Sequence, residues 1–176
     1  TSVASGAQQG NLDAHASVSF TDRDGYREHN ESERTNVNIN AGARINENVS
    51  TRLFFGYTDL GFDVVGPISR QMMEQDPTQI CLGPPSCVGP NVKRDDPRRD
   101  AEQFRIGSRT SARYGANLFD VALGYTYTDD SFRFPISGGV RDTDGGDFTT
   151  VMRYAYAPDA SRSLPLFEIT GQYAIG

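Results

Sequence analysis

QFRIGSRTSARYGANLFDVALGYTYT, residues 103–128, decides the fold. Read in twos, Phe104, Ile106, Ser108, Thr110, Ala112 and Tyr114 fall on one side, and Gln103, Arg105, Gly107, Arg109, Ser111 and Arg113 on the other. Past a turn near Gly115, Phe119, Val121, Leu123, Tyr125 and Tyr127 alternate with Asp120, Ala122, Gly124, Thr126 and Thr128. Successive side chains of a strand leave opposite faces, so a period of two marks extended chain with one greasy and one polar face. Two such runs across a glycine turn make an antiparallel hairpin.

The pattern continues in both directions. Leu12, Ala14, Ala16, Val18 and Phe20 oppose Asp13, His15, Ser17 and Ser19; Val37, Ile39, Ala41, Ala43 and Ile45 oppose Asn36, Asn38, Asn40, Gly42 and Arg44. Val49, Thr51, Leu53, Phe55 and Tyr57 oppose Ser50, Arg52, Phe54, Gly56 and Thr58. Two further runs are led by Phe148, Met152, Tyr154 and Tyr156, and by Phe167, Ile169, Tyr173 and Ile175, and residues 1–7 read as the end of an earlier strand. The expectation is about eight strands, most near the roughly 9–11 residues that cross a bilayer when tilted.

Soluble sandwiches alternate as well, so the connections carry the choice. They are expected to alternate short and long: a tight turn at 8–10, a loop at 23–33, Asn46-Glu47-Asn48, a long loop at 60–100, the turn near Gly115, a loop at 129–145 and a link at 158–163. That layout, with Tyr57, Tyr114, Tyr127 and Tyr156 at strand ends, fits an outer-membrane barrel with short periplasmic turns and aromatic girdles. The expected class is all-β, an antiparallel up-and-down transmembrane β-barrel segment. No apolar run approaches the ~20 residues of a membrane helix.

Composition agrees. Apolar residues make up 36% and mean hydropathy is -0.54, yet Gly numbers 18 and aromatics reach 10%. Such a chain is too aromatic for disorder. The net charge of -6 offers no basic face for nucleic acid. Cys81 and Cys87, close together in a Pro/Gly-rich stretch, suit a local disulfide in an exported protein better than a metal site.

The polar stripe carries Arg44, Arg52, Arg105, Arg109, Arg113 and Arg153, against fewer acids, namely Asp120, Asp147 and Glu168. An eight-stranded barrel has an interior just filled by side chains. An Arg-rich stripe interspersed with Gly and Ala instead predicts a wide lumen, and hence an arc of a larger barrel with two edges seeking partners. The alternative is a free-standing eight-strand barrel serving as anchor, adhesin or narrow pore. Gln103 and Arg105, near the expected outer mouth, and Arg98 and Arg99 in the long loop are the candidate ligand contacts. The other five arginines are expected to line the lumen and pair with acids of a plug or of neighbouring strands. Loop 60–100, with Arg70, Lys93 and Arg94 besides, reads either as a lid over ligand or as a solvated loop pinned by the disulfide. Asp142, Asp144 and Asp147 resemble a calcium loop but lack its closing Glu, and read as a polar turn. His15 and His29 have no second His at ligand spacing and read as ordinary polar positions. No metal, cofactor or catalytic constellation is assigned.

Asp24-Gly25-Tyr26-Arg27 followed by Glu33-Arg34, the run from Asn46 to Phe55, Gly66-Pro67-Ile68-Ser69 with Asp76-Pro77, Arg98-Arg99-Asp100 leading to Phe104-Arg105-Ile106, and Phe134-Pro135-Ile136 come in a familiar order. Over roughly residues 5–157 the chain resembles TonB-dependent outer-membrane receptors of the ferric-citrate or siderophore type. The resemblance implies a 22-stranded barrel in the Gram-negative outer membrane, surrounded by lipid and holding an N-terminal plug. It further implies import of an iron-siderophore or similar chelate, driven by the TonB complex. Residues 1–176 would be a partial barrel domain, the early strands without plug, TonB-contacting segment, first strand or C-terminal strand.

Overall fold

The computed structural model describes residues 1–89, 91–134, 139–158 and 165–176. Its strands are β1 (Ser2–Gln9), β2 (Leu12–Arg23), β3 (Ser32–Arg44), β4 (Val49–Asp63), β5 (Arg98–Tyr114), β6 (Asn117–Phe134), β7 (Gly139–Tyr156) and β8 (Phe167–Ile175). Two short helices, α1 (Arg70–Gln75) and α2 (Val92–Asp95), lie between β4 and β5. Each strand pairs antiparallel with the next, in a single up-and-down sheet. β1 pairs only with β2 and β8 only with β7, so the sheet is not closed.

Local chemistry sets the turns. Gly10 and Gly115 open the β1–β2 and β5–β6 turns with φ of 59° and 58°, a left-handed conformation that glycine adopts without a Cβ clash. Between β3 and β4, the Asn46 side chain accepts hydrogen bonds from the Asn48 and Val49 N–H groups, each at 2.9 Å. That is an asparagine standing in for a backbone turn.

The register keeps the greasy stripe on one face of every strand. Val18 stands opposite Val37, then Tyr57, Phe104 and Tyr127 in turn. A one-residue slip at any pair would throw this set to the other face. Val37, Leu53, Phe104 and Val121 therefore share one face of one sheet, rather than meeting between two stacked sheets as in a sandwich. Nothing described covers that face: Leu53 is 58% exposed and Ile169 58%. The main buried apolar cluster is Ile80, Cys81, Cys87 and Val92, which forms a small core inside the β4–β5 connection. There Cys81 and Cys87 are joined by a disulfide.

Several boundaries differ from expectation. The ladder runs on to Asp63 opposite Arg98 and to Phe134 opposite Gly139, so loops 60–100 and 129–145 are shorter than read. Asp142, Asp144 and Asp147 are strand residues of β7, opposite Ser131, Asp129 and Thr126, rather than a turn. Backbone pairing continues where the apolar side chains change face, because the ladder depends on backbone groups and not on which face is apolar. Connections alternate short and long as far as β6; then 135–138 is shorter than 157–166, the reverse of the expectation. Most of the expected link at 158–163, with Pro135 and Ile136, lies outside the described residues.

Candidate functional site

The two faces differ in chemistry, and the difference changes with height. On the apolar face, Phe119 packs on Tyr154 with ring centroids 5.0 Å apart, and Tyr154 on Phe167 at 6.5 Å, near the Gly115 end. Tyr114 and Tyr156 end their strands there, as expected. Tyr57 and Tyr127 do not end theirs: with Phe104 between them they form a row part-way up the sheet. From Phe119 to Tyr127 along β6 is about 26 Å at strand rise. Above the row the same face turns acidic, through Asp22, Glu33, Asp59, Glu102, Asp129 and Asp144. Leu60, Phe62, Phe132 and Phe134 occupy the opposite face at that level. The polarity of the sheet inverts at one height across its central strands.

The polar face below that level holds the arginines. Arg52 on β4 reaches across Gly42 on β3 to Asp13 on β2, at 2.5 Å, and also donates to the Asn40 side chain. A Cβ at Gly42 would stand 2.5 Å from both charged groups, so glycine leaves the passage open. Arg109 and Arg153 converge on Asp120 at 3.3 and 3.4 Å, and Arg153 also donates to Glu168 through two nitrogens. The expected pairing with acids of neighbouring strands is present for these three. Arg44, Arg105 and Arg113 have no ion pair among the described residues.

Arg105 is exposed and sits mid-face, beside an open cleft. It lies over Gly56, where a Cβ would be 3.4 Å from its Nε and 3.7 Å from the Asn38 side-chain oxygen. Asn38, Asn40, Phe54, Gly56, Arg105 and Thr126 line an open cleft of about 420 Å³. Arg44, Arg52 and Arg109 border another of about 390 Å³ nearer the turns. An unpaired guanidinium among amide and hydroxyl groups can take a carboxylate through two parallel hydrogen bonds.

The four candidate ligand contacts separate in space. Gln103 and Arg105 share the polar face with Arg99 and stand five and seven residues into β5, which begins at Arg98. Gln103 donates to the Thr128 hydroxyl at 3.2 Å. Arg98 and Arg99 are strand residues, not loop residues. Arg99 is held by both oxygens of Asp130, and Arg98 lies on the opposite face, paired with Asp100 at 2.8 Å.

The β2–β3 and β4–β5 connections are tied together. The Arg27 guanidinium donates to the Gln79 carbonyl through Nε and one terminal nitrogen, and to the Gly66 carbonyl through the other at 3.0 Å. Gly25 at φ 76° leaves room for the Asn30 backbone, so that Asp24-Gly25-Tyr26-Arg27 seats the long connection. In that connection, hydrogen bonds from Thr78 hold the Asp76 carboxyl below the usual carboxylate range, and Arg94 does the same for Asp95. The same loops bring His29 between Asp63 and Asp96, a grouping that residue spacing did not reveal. Compared with known protein families and with curated proteins, the chain matches none.

Proposed function

We propose that this sheet is an arc of a Gram-negative outer-membrane barrel of the TonB-dependent receptor kind, and that the whole barrel imports a scarce nutrient, most simply an anionic iron-siderophore chelate. One observation carries the reading. A single register places apolar side chains on one face of eight strands, bounded by an aromatic cluster below and the Tyr57–Phe104–Tyr127 row above, with carboxylates beyond. A lipid-facing band of about 25 Å between aromatic girdles has that form. In this reading the face with Arg105 looks into the lumen, toward a plug and a passing chelate, and the long connections lie outside the cell.

The unpaired edges of β1 and β8 belong with the same proposal. Within the bilayer an open edge leaves backbone groups without partners, so each must join further strands of a larger ring. A self-closed eight-strand barrel would require β1 to pair with β8, and in this sheet they are not paired, which favours the arc.

The chain lacks Trp, which makes a single introduced tryptophan a clean reporter. In lipid vesicles, Leu53→Trp is expected to emit to the blue and to be quenched by brominated acyl chains, whereas Asn38→Trp is not. Equal insensitivity of both positions to brominated lipid refutes the membrane reading.

A further inference from the structure

We infer that His29, Asp63 and Asp96 form a binding site for one divalent transition-metal ion, with zinc the best match, at the loop end of the sheet. The three come from separate pieces of chain: the β2–β3 connection, the last residue of β4, and the residue after α2. One ring nitrogen and one oxygen from each carboxylate lie within 4.8 Å of one another. His29 Nδ1 stands 3.8 Å from an Asp63 oxygen, and Nε2 stands 3.7 Å from an Asp96 oxygen. Those two distances are from different nitrogens of the ring; the set with one nitrogen lies within 4.8 Å. Donors around tetrahedral zinc are about 3.4 Å apart, given metal–ligand bonds of about 2.0–2.2 Å, so binding draws one carboxylate in by up to about an ångström and a half, within reach of a side-chain rotation.

The surroundings fit an imidazole ligand. The Pro97 carbonyl lies 3.3 Å from Nε2, placed to accept its proton and leave the Nδ1 lone pair on the Asp63 side. A histidine that binds metal typically donates its other N–H in this way. Asp96 turns its second oxygen to Arg133 at 3.4 Å, which steadies the carboxylate and leaves the first oxygen free. Arg98, across the ladder from Asp63, is neutralised by Asp100. Two carboxylates against one committed arginine leave the group net negative. His29 and Asp63 are 20% and 23% exposed, and Asp96 at 44% forms the open side of the site.

The backbone points the same way. His29 and Asp96 are the two non-glycine residues with positive φ among those described, at 54° and 45°. Such conformations are costly, and they gather where a functional geometry is held. The donor set of one nitrogen and two oxygens favours zinc, nickel or cobalt over calcium, which takes oxygen alone. With Cys81 and Cys87 bonded to each other, no thiol competes. A bound ion would clamp both long connections to the end of β4. This inference does not rest on the membrane reading and stands or falls separately.

The test uses the folded chain, disulfide intact, titrated with Zn²⁺ alone in excess Ca²⁺ to occupy plain carboxylate clusters. One saturable equivalent is expected, and Co²⁺ in its place should give visible absorption from a nitrogen ligand. His29→Ala and the near-isosteric Asp63→Asn should each weaken binding more than tenfold, while His15→Ala leaves it unchanged. On the unaltered chain, Zn²⁺ should move the ring-nitrogen resonances of His29 and not those of His15. The assignment is overturned if no saturable equivalent appears, if binding survives both variants, if only His29→Ala weakens it, or if the His29 resonances stay fixed.

Discussion

Gly146 lies beneath the ring of Tyr125: a Cβ there would stand 2.9 Å from Tyr125 Cζ and 3.0 Å from Cε2. An aromatic ring cannot move aside without leaving its rotamer, so Gly146→Ala should destabilise the sheet by about 1–3 kcal/mol. Gly42 is crowded too, but there the atoms met are the ends of Arg52 and Asp13. Both side chains are more than one-third exposed, and a solvent-screened pair contributes about 1 kcal/mol at most. Gly42→Ala should therefore cost less than Gly146→Ala, and denaturant midpoints in one lipid or detergent check the order. Tyr125→Ala combined with Gly146→Ala should recover part of the loss, since the clash is removed. An unchanged double variant would mean that the ring does not rest on the glycine.

The connection between β4 and β5 is an element with its own small core, and its disulfide closes a ring of sequence separation 6. A ring of that size removes loop entropy worth about 2 kcal/mol, and none of the strand pairs depends on it. Replacing both cysteines by serine should raise proteolytic nicking within 64–97 by tens-fold, while far-UV circular dichroism of the sheet stays unchanged. Loss of sheet signal would show that the loop core supports the strands. The same element marks the reach of sequence reading. Strand identity, faces and the local disulfide were legible, because period-two alternation and close cysteines are short-range signals. The ends of β4, β5 and β6 were not. From Asp59 and Glu102 onward the polar side chains change face, so the apolar pattern ends while the hydrogen-bond ladder does not. Part of the candidate site was legible too: Arg105 could be placed on the polar face, but Arg98 could not be assigned to the other face without knowing that β5 begins there. The convergence of His29, Asp63 and Asp96 was beyond reach, since it follows from folding three distant pieces of chain together.

At the scale of the molecule, the sheet is greasy on a face that no layer among the described residues covers, and the environment of that face decides what the protein is. A charge placed on it reads the environment directly. Leu123 lies mid-way between Phe119 of the lower aromatic cluster and Tyr127 of the upper row, whereas Glu102 sits above the row on the same face. If acyl chains surround the band, Leu123→Arg should cost about 2–4 kcal/mol, and Glu102→Arg about 0–1 kcal/mol, because the penalty for a charge falls from the midplane to the interface. If water surrounds it, Leu123 is already 42% exposed, and an arginine there is an ordinary surface change within about 0.5 kcal/mol. Folding free energies of the two variants in vesicles separate the cases without knowledge of any substrate. A depth-dependent penalty supports the barrel wall. Equal, small effects would leave a sheet whose apolar face must be covered by protein instead, and the arginine-lined face would then lose its claim to be a lumen.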